Sequence, residues 1–436
     1  MTSARELNMK IFRYPSRDSW PEIVKRPVAD TKAIEDSVRA ILKDVRLNGD
    51  EALRRYTTQF DQIELGECTT AEQEFIDAEK RVPKDLKAAI RTAKANIERF
   101  HAAQREKPVA VETTAGVVCW RRSVAIDKVG LYVPAGTASL FSTVLMLGVP
   151  AQIAGCNEIV LCSPPDPNGS IDDAILYAAK VCGITKVFKV GGAQAIAALA
   201  YGTESVPRVF KIFGPGNHFV TCAKQMVSND VAIDMPAGPS EVAVLTDGSC
   251  NPAFVAADLL SQAEHGPDSQ VILVTTSEPV IENSIAEIEK QIATLPRREI
   301  AERSLANSRA VLVSDIDEGI DLLNDYAAEH LILAIENAEQ EAEKITNAGS
   351  VFLGNYSCES AGDYASGTNH TLPTGGFARS FSGVSLDSFV KKITFQKLTA
   401  DGIRNLGPAI ECMARAEGLE AHRLAVSVRL EEINGL

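Results

Sequence analysis

An α/β architecture with two parallel, doubly wound sheets is predicted by three observations. From Lys128 onward, short β-rich runs alternate with Ala-rich helical runs, the order that βαβ crossovers impose. A second series of the same kind follows, with QVILVTT as a clear strand. Glycine-bearing turns close several strands of the first series, at the carboxyl ends where open α/β sheets bind ligands.

The elements can be justified in order. Residues 31 to 107 read as helical, because Ile34, Val38, Ile41, Leu42 and Val45 recur at helix spacing and Asn48-Gly49 supplies a stop. A second long helix runs from about Pro83 to Gln104, and His101 near its end, between Phe100 and Ala102, reads as structural. The first α/β series is VGLYVP, SLFSTVLMLGVPAQIAG, EIVLCSPP, IDDAILYAAKVCG, KVFKVGG, AQAIAALAYG, VFKIFGPG and HFVTCAKQMV. The second is QVILVTT, PVIENSIAEIEKQIATL, RAVLVSD, IDEGIDLLNDYAAEH, LILAI, AEQEAEKITNAG and SVFLG. A smaller, mostly helical piece follows from about Leu386.

With 436 residues, 45% apolar and 23% charged, the chain has length for two or three globular domains. A net charge of −14 argues against a nucleic-acid or anionic-membrane partner, since phosphate binding needs a basic face. Neither a signal peptide nor a run of roughly 18 apolar residues is present, so a cytoplasmic location is expected. Met9 is an alternative start that would make residues 1 to 8 a dispensable extension. Nine cysteines without a CxxC pair indicate neither a disulfide framework nor a thiolate zinc knuckle. Cys119, Cys156 and Cys162 lie in or beside strand-like segments without a basic motif, and buried filler is the preferred reading over a nucleophilic thiol.

The chemistry is carried by histidines. Of six, His265, His330, His370 and His422 lie in polar stretches beside acids or amides, a pattern that suits metal binding plus proton transfer. Chance proximity is the competing reading. Gln262 and His265 are three apart in a helical segment ending at Gly266-Pro267, which places two ligands on one helix face. Asp363 is expected in a loop after the strand SVFLG. Glu417 and His422 are five apart, and a break at Gly418 lets both face one cavity. Adjacent Glu329 and His330 sit at a helix-to-strand junction, either as a paired base set or as an ordinary boundary. The strand-end turns Tyr132 to Gly136, Gly191-Gly192 to Gln194 and Gly214 to Asn217 read either as nucleotide-binding loops or as tight turns. No HExxH, GxSxG or P-loop occurs, which leaves alcohol or aldehyde redox chemistry.

Longer motifs point to a family. GLYVPAGTASLFSTVLM, VGGAQAIAALAYGTESVP, KIFGPGN, IDMPAGPSEV, DLLSQAEHGPDSQV, EHLIL, GSVFLGNYSCESAGDYASGTNHTLPT and EGLEAH together resemble histidinol dehydrogenase, from about residue 30 to the end. The resemblance implies oxidation of L-histidinol through L-histidinaldehyde to L-histidine with two NAD⁺, the last two steps of histidine biosynthesis. It implies one Zn²⁺ per subunit, held by Gln262, His265, Asp363 and His422, with the zinc mainly orienting substrate nitrogens. His330 becomes the base for the hydroxyl proton and Glu329 the base that activates water. Ser240, His370 and Glu417 become substrate contacts beside Gln262, His265, Glu329, His330, Asp363 and His422, and Tyr132, Gln194 and Asn217 become NAD contacts. A homodimer with shared active sites is implied, Glu417 and His422 coming from the neighbouring subunit. Ala135 and His218 depart from the family pattern without touching the zinc set.

The expected organisation is therefore two incomplete Rossmann-like domains between a small N-terminal arm (1–30) and a small helical C-terminal segment (386–436) swapped in the dimer. Residues 31–130 and 240–385 make the first domain, with the zinc and catalytic residues; 131–239 make the second, with the NAD loops.

Overall fold

The computed structural model describes residues 9–27, 31–135 and 139–435. The chain opens with β1 (Lys10–Arg13) and α1 (Trp20–Ile23), then α2 (Thr31–Tyr56), α3 (Glu72–Arg81), α4 (Lys84–Ala102), β2 (Ala110–Thr114) and β3 (Val117–Ala125). The first α/β series forms β4 (Lys128–Tyr132), α5 (Phe141–Ala154), β5 (Glu158–Ser163), α6 (Asp173–Val181), β6 (Lys186–Lys189), α7 (Gly192–Tyr201), β7 (Lys211–Phe213), α8 (His218–Val227) and β8 (Ala232–Ile233). The second is preceded by a strand and helix that the expected series lacked, β9 (Glu241–Thr246) and α9 (Pro252–Ala263), and then forms β10 (Gln270–Thr275), α10 (Glu278–Ile292), α11 (Arg298–Ala306), β11 (Arg309–Leu312), α12 (Ile316–Tyr326), β12 (His330–Ala334), α13 (Ala338–Ala342) and β13 (Ser350–Leu353). The chain ends with α14 (Glu359–Tyr364), β14 (Val390–Leu398), α15 (Ala400–Ala416) and α16 (Glu420–Asn434).

Both series wind the same way. One sheet has the order β6-β5-β4-β7-β8, and the other repeats it as β11-β10-β9-β12-β13 with β1 added outside β11. Every pairing in the two sheets is parallel. Strand order reverses once in each, between β4 and β7 and between β9 and β12, so both are doubly wound. Burial on both faces explains the composition: β9 and β10 are buried at every position, which calls for continuous Val, Leu and Ile rather than alternation. Helix α5 is buried almost all round and correspondingly carries no charge.

Two expected boundaries change. Residues 10–13 form the edge strand β1 rather than a free arm, because Ile11 and Phe12 pair with Ala310 and Val311. Met9 is itself buried in the core, while residues 1–8 lie outside those described. The helices of 31–102 cover the five-stranded sheet instead of joining 240–385: α2 packs on α7 and α8, α3 on α6, and α4 on α5. Their apolar stripes complete the two cores of that unit, Val38, Leu42 and Val45 on one face and Ile90 and Ile97 on the other. The predicted stop after Asn48 is present as a kink inside α2, where Gly49 has φ 47° and accommodates the Glu204 carboxylate.

The C-terminal piece is mostly helical, as expected, and adds one strand. β14 pairs antiparallel with β3 along Val390–Leu398, and β2 completes a three-stranded sheet. Trp120 stacks on Phe395 across it, with ring centroids 5.4 Å apart. No position of β14 is fully buried and Ile393 is exposed, so this sheet lies outside the two parallel-sheet cores. Helices α15 and α16 pack on each other beyond it.

Candidate active site

The catalytic candidates gather at the amino edge of the six-stranded sheet, not at a carboxyl edge. Glu329 and His330 stand at the entry to β12, and Ser240 precedes Glu241 at the entry to neighbouring β9. Helix α9 leaves the far end of β9 and runs back along the sheet, so its last turn returns Gln262 to the same edge. His265 lies just past the helix, its N–H donating to the Gln262 carbonyl at 3.1 Å. The two candidates thus share a turn rather than a helix face. Asp363 is likewise on a helix, α14, which packs against α9, and not in an open loop.

Distances make the cluster one unit. His330 Nε2 is 3.3 Å from Asp363 Oδ1, without the alignment of a hydrogen bond, and His330 Nδ1 is 3.6 Å from Glu329 Oε2. The Gln262 amide nitrogen is 3.2 Å from His330 Nδ1, and the Glu241 carbonyl is also 3.2 Å from that nitrogen. Glu329 Oε2 accepts the Glu241 N–H at 2.9 Å. Glu241 is itself held by Arg26, whose Nη2 donates to Glu241 Oε2 at 3.0 Å and whose guanidinium lies over the Tyr326 ring at 4.1 Å. This buried ion pair fixes the strand entry that carries the dyad. His370 is clamped on both sides, Nδ1 near the Asp363 carbonyl at 2.9 Å and Nε2 near Thr143 Oγ1 at 3.1 Å.

That last contact joins the two sheets. Thr143 opens α5, which follows β4, so the carboxyl edge of the five-stranded sheet faces the amino edge of the other. Asn369 reinforces the junction by donating to the Met146 carbonyl at 2.6 Å. The cofactor candidates occupy the facing edge. Tyr132 ends β4 and is buried, its hydroxyl accepting the Gly192 N–H at 3.1 Å while burial pushes its pKa up to about 12. Gln194 is buried with Oε1 unpaired. Asn217 caps α8 by accepting from Phe219 and Val220 N–H, both at 3.1 Å. Gly214 is required between them: its φ is 126°, and a Cβ would stand 2.1 Å from the Tyr132 carbonyl oxygen. Gly136, in the first of these turns, lies outside the described residues.

Electrostatics follow from burial and crowding. Burial opposes charge on His330, but Glu329 and Asp363 outweigh it and hold the ring's pKa well above its ordinary value. Burial raises Glu329, partly offset by His330, whereas Asp363 falls far below the carboxylate range because His330 overcomes its desolvation. Desolvation lowers both His265 and His370, although His265 keeps solvent access at the cleft mouth. Neutral imidazole is the ligating form.

The donor set fits a hard or borderline divalent cation. Gln262 Oε1 and Asp363 Oδ1 are buried without a hydrogen-bond partner, an expensive condition that a cation relieves. Ligand atoms of His265, Glu359 and Asp363 all lie within 4.8 Å of one another. Glu359 was absent from the expected set, although its spacing from Asp363, one helical turn, was readable in ESAGD. Glu417 and His422 stand apart from this cluster. Gly418, with φ 72°, does break the helix as expected, but both residues are exposed, at the end of α15 and on α16.

Other readings resolve simply. His101 is fully buried, its Nδ1 2.9 Å from the Ile97 carbonyl, as a structural residue should be. Cys162 is buried with its thiol pushed far up, and burial takes Cys156 to about 12, so neither is poised as a thiolate. His218 Nε2 sits 3.5 Å from Asp268, three residues beyond the zinc candidate His265, and is not itself one of the cluster's residues.

A sequence model of the family described as histidinol dehydrogenase matches residues 24–430. The chain belongs to the histidinol dehydrogenase family. It is 60% identical over 426 residues to histidinol dehydrogenase of Bacteroides fragilis, covering 98% of this chain and 100% of the relative. The Bacteroides thetaiotaomicron histidinol dehydrogenase is 59% identical over the same length and coverage. A crystal structure of histidinol dehydrogenase from Elizabethkingia anophelis superposes with a TM-score of 0.96 at 53% identity, covering 99% of this chain and 100% of that one. As a histidinol dehydrogenase family member, the chain is an oxidoreductase, an NAD-dependent dehydrogenase. Among the described residues no helix is long and apolar enough to cross a membrane.

Proposed function

We propose that the chain oxidises L-histidinol through L-histidinaldehyde to L-histidine, reducing two NAD⁺, as the final two steps of histidine biosynthesis in the cytoplasm. The observation that carries this reading is the buried Glu329–His330 pair at the entry to β12, within reach of Gln262 and Asp363 and facing the glycine turns of the other sheet.

Gln262, His265 and Asp363 hold a zinc ion, completed by His422 of the partner subunit, whose exposure on α16 in this chain suits a ligand lent across a homodimer. When bound, the zinc supplies a charge that orients the substrate's nitrogen atoms and draws on Asp363 as a ligand. His330, with Asp363 so engaged, takes the proton of the substrate hydroxyl. The turns around Tyr132, Gln194 and Asn217 would hold NAD⁺, which would supply the hydride acceptor. Glu329, buried and braced by the Glu241 N–H, takes a proton from the water that adds to the aldehyde. The hydrated aldehyde presents a second hydroxyl to His330, so one base serves both oxidations and no covalent cysteine intermediate is required. Ser240, His370 and Glu417 of the partner subunit make the remaining substrate contacts.

The purified protein is assayed for NADH formation from L-histidinol with metal content measured on the same sample. Two NADH and one L-histidine per histidinol are expected; no turnover, beside oxidation of an unrelated alcohol, overturns the substrate assignment.

A further inference from the structure

We infer that Glu359 is a positioning residue whose carboxylate locks the Gln262 amide with its oxygen turned toward the metal pocket. The inference rests on the zinc reading proposed above. A glutamine side chain can present either its oxygen or its nitrogen to a given neighbour, since the amide flips with almost no change of shape. Only the oxygen ligates a metal. Something in this protein must therefore choose between the two orientations.

The hydrogen-bond pattern makes the choice. Glu359 Oε1 lies 2.5 Å from Gln262 Nε2, and a carboxylate oxygen accepts from an amide nitrogen but repels an amide oxygen. His330 Nδ1 lies 3.2 Å from the same amide nitrogen, but it donates its own hydrogen to the Glu241 carbonyl, also 3.2 Å away, so the Glu359 contact alone selects the orientation. With its nitrogen held at Glu359, Gln262 Oε1 remains buried without a partner. Ser261, the preceding residue, holds the other carboxylate oxygen: its Oγ is 2.6 Å from Glu359 Oε2 and 2.8 Å from the Asp258 carbonyl. The end of α9 thus orients Glu359, and Glu359 orients the ligand.

Direct ligation by Glu359 is the competing arrangement, because its carboxylate lies close enough to His265 and Asp363. The committed oxygens speak against it. Each Glu359 oxygen already accepts a short hydrogen bond, whereas Gln262 Oε1 and Asp363 Oδ1 have none. A cation is better served by the two unpaired atoms.

The test compares wild type, Glu359→Gln, Gln262→Ala and the double variant, all as the full chain. Zinc affinity is measured by competition with a chromophoric chelator, the visible spectrum is recorded after Co²⁺ substitution, and turnover is followed against added zinc. Glu359→Gln keeps the shape but lets the amide flip, so zinc affinity should fall about 10- to 100-fold. The cobalt bands should keep their positions, turnover should return at saturating zinc, and the double variant should bind no more weakly than Gln262→Ala alone. Equal affinity in wild type and Glu359→Gln overturns the inference, as does a shifted cobalt spectrum, which makes Glu359 a ligand. A wild type that holds no zinc instead overturns the metal reading beneath it. Should Glu359→Gln not fold, Ser261→Ala serves in the same cycle: it removes one anchor of the carboxylate and should weaken zinc binding only when Gln262 is present.

Discussion

Asp61, near the expected cofactor turns, carries a buried Oδ2 without a hydrogen-bond partner, and burial pushes its carboxyl up to about 6. Its folded pKa stands above the unfolded value, so between about pH 4 and 6 the native state binds the extra proton and stability falls as pH rises. The penalty is absent below that window and complete above it. Asp61→Asn should therefore stabilise the protein at pH 8, by ~1 kcal/mol once solvent screening is allowed for, and give no gain at pH 4. Denaturant unfolding at the two pH values checks the sign. For the dyad, His330→Asn should slow both oxidations by about 10²- to 10⁴-fold, the range for loss of a positioned general base. Glu329→Gln should spare the first oxidation more than the second. Rapid-mixing measurement of aldehyde and NADH distinguishes them, and equal losses in both steps would remove the separate role given to Glu329.

At the scale of elements, the turn between β7 and α8 depends on a buried ion pair. Lys224 on α8 and Asp234 after β8 form a salt bridge with side chains 4% and 1% exposed. Lys224 also donates to the Gly214 carbonyl at 2.8 Å, and Asp234 Oδ2 accepts the Gly214 N–H at 2.8 Å. The glycine that cannot bear a side chain is held from both sides. Lys224→Met leaves the buried Asp234 carboxylate without its ion-pair partner, an expected loss of about 3–5 kcal/mol. Pairing it with Asp234→Asn should recover part of the stability but not the cofactor affinity, since the Gly214 carbonyl still lacks its donor. Thermal unfolding read beside the KM for NAD⁺ separates the two effects.

For the whole molecule, the informative fact is where the C-terminal helices stand. His422 and Glu417 are exposed, while the cluster they were expected to join is assembled from α9, β12 and α14. Subunits inactivated by His330→Asn and by His422→Ala should therefore restore activity when mixed, because one hybrid site keeps an intact base and receives an intact ligand. About a quarter of wild-type activity is the ceiling expected for random pairing with one good site per heterodimer. Inactivity of a heterodimer verified by mass would overturn the shared site.

The sequence by itself determined what short-range chemistry can specify. The apolar run QVILVT declares a strand buried on both faces, Asn48-Gly49 declares the break in α2, and the resemblance named the residues that converge on β12, whereas the equally apolar central strand β9 was not among the expected elements. The helix predicted over 83–104 is α4. Tertiary structure alone decided which sheet each piece covers. The stripe of Val38, Leu42 and Val45 is equally apolar whichever sheet receives it, and only the fit against α7 and α8 assigns it to the five-stranded one. Likewise β1 and β14 are short or half-exposed, and their partners lie about 300 and 270 residues away along the chain, beyond any local pattern. The role of Glu359 was hidden for the same reason: a carboxylate one turn before Asp363 acquires meaning only when α14 docks on α9 and brings it to the Gln262 amide.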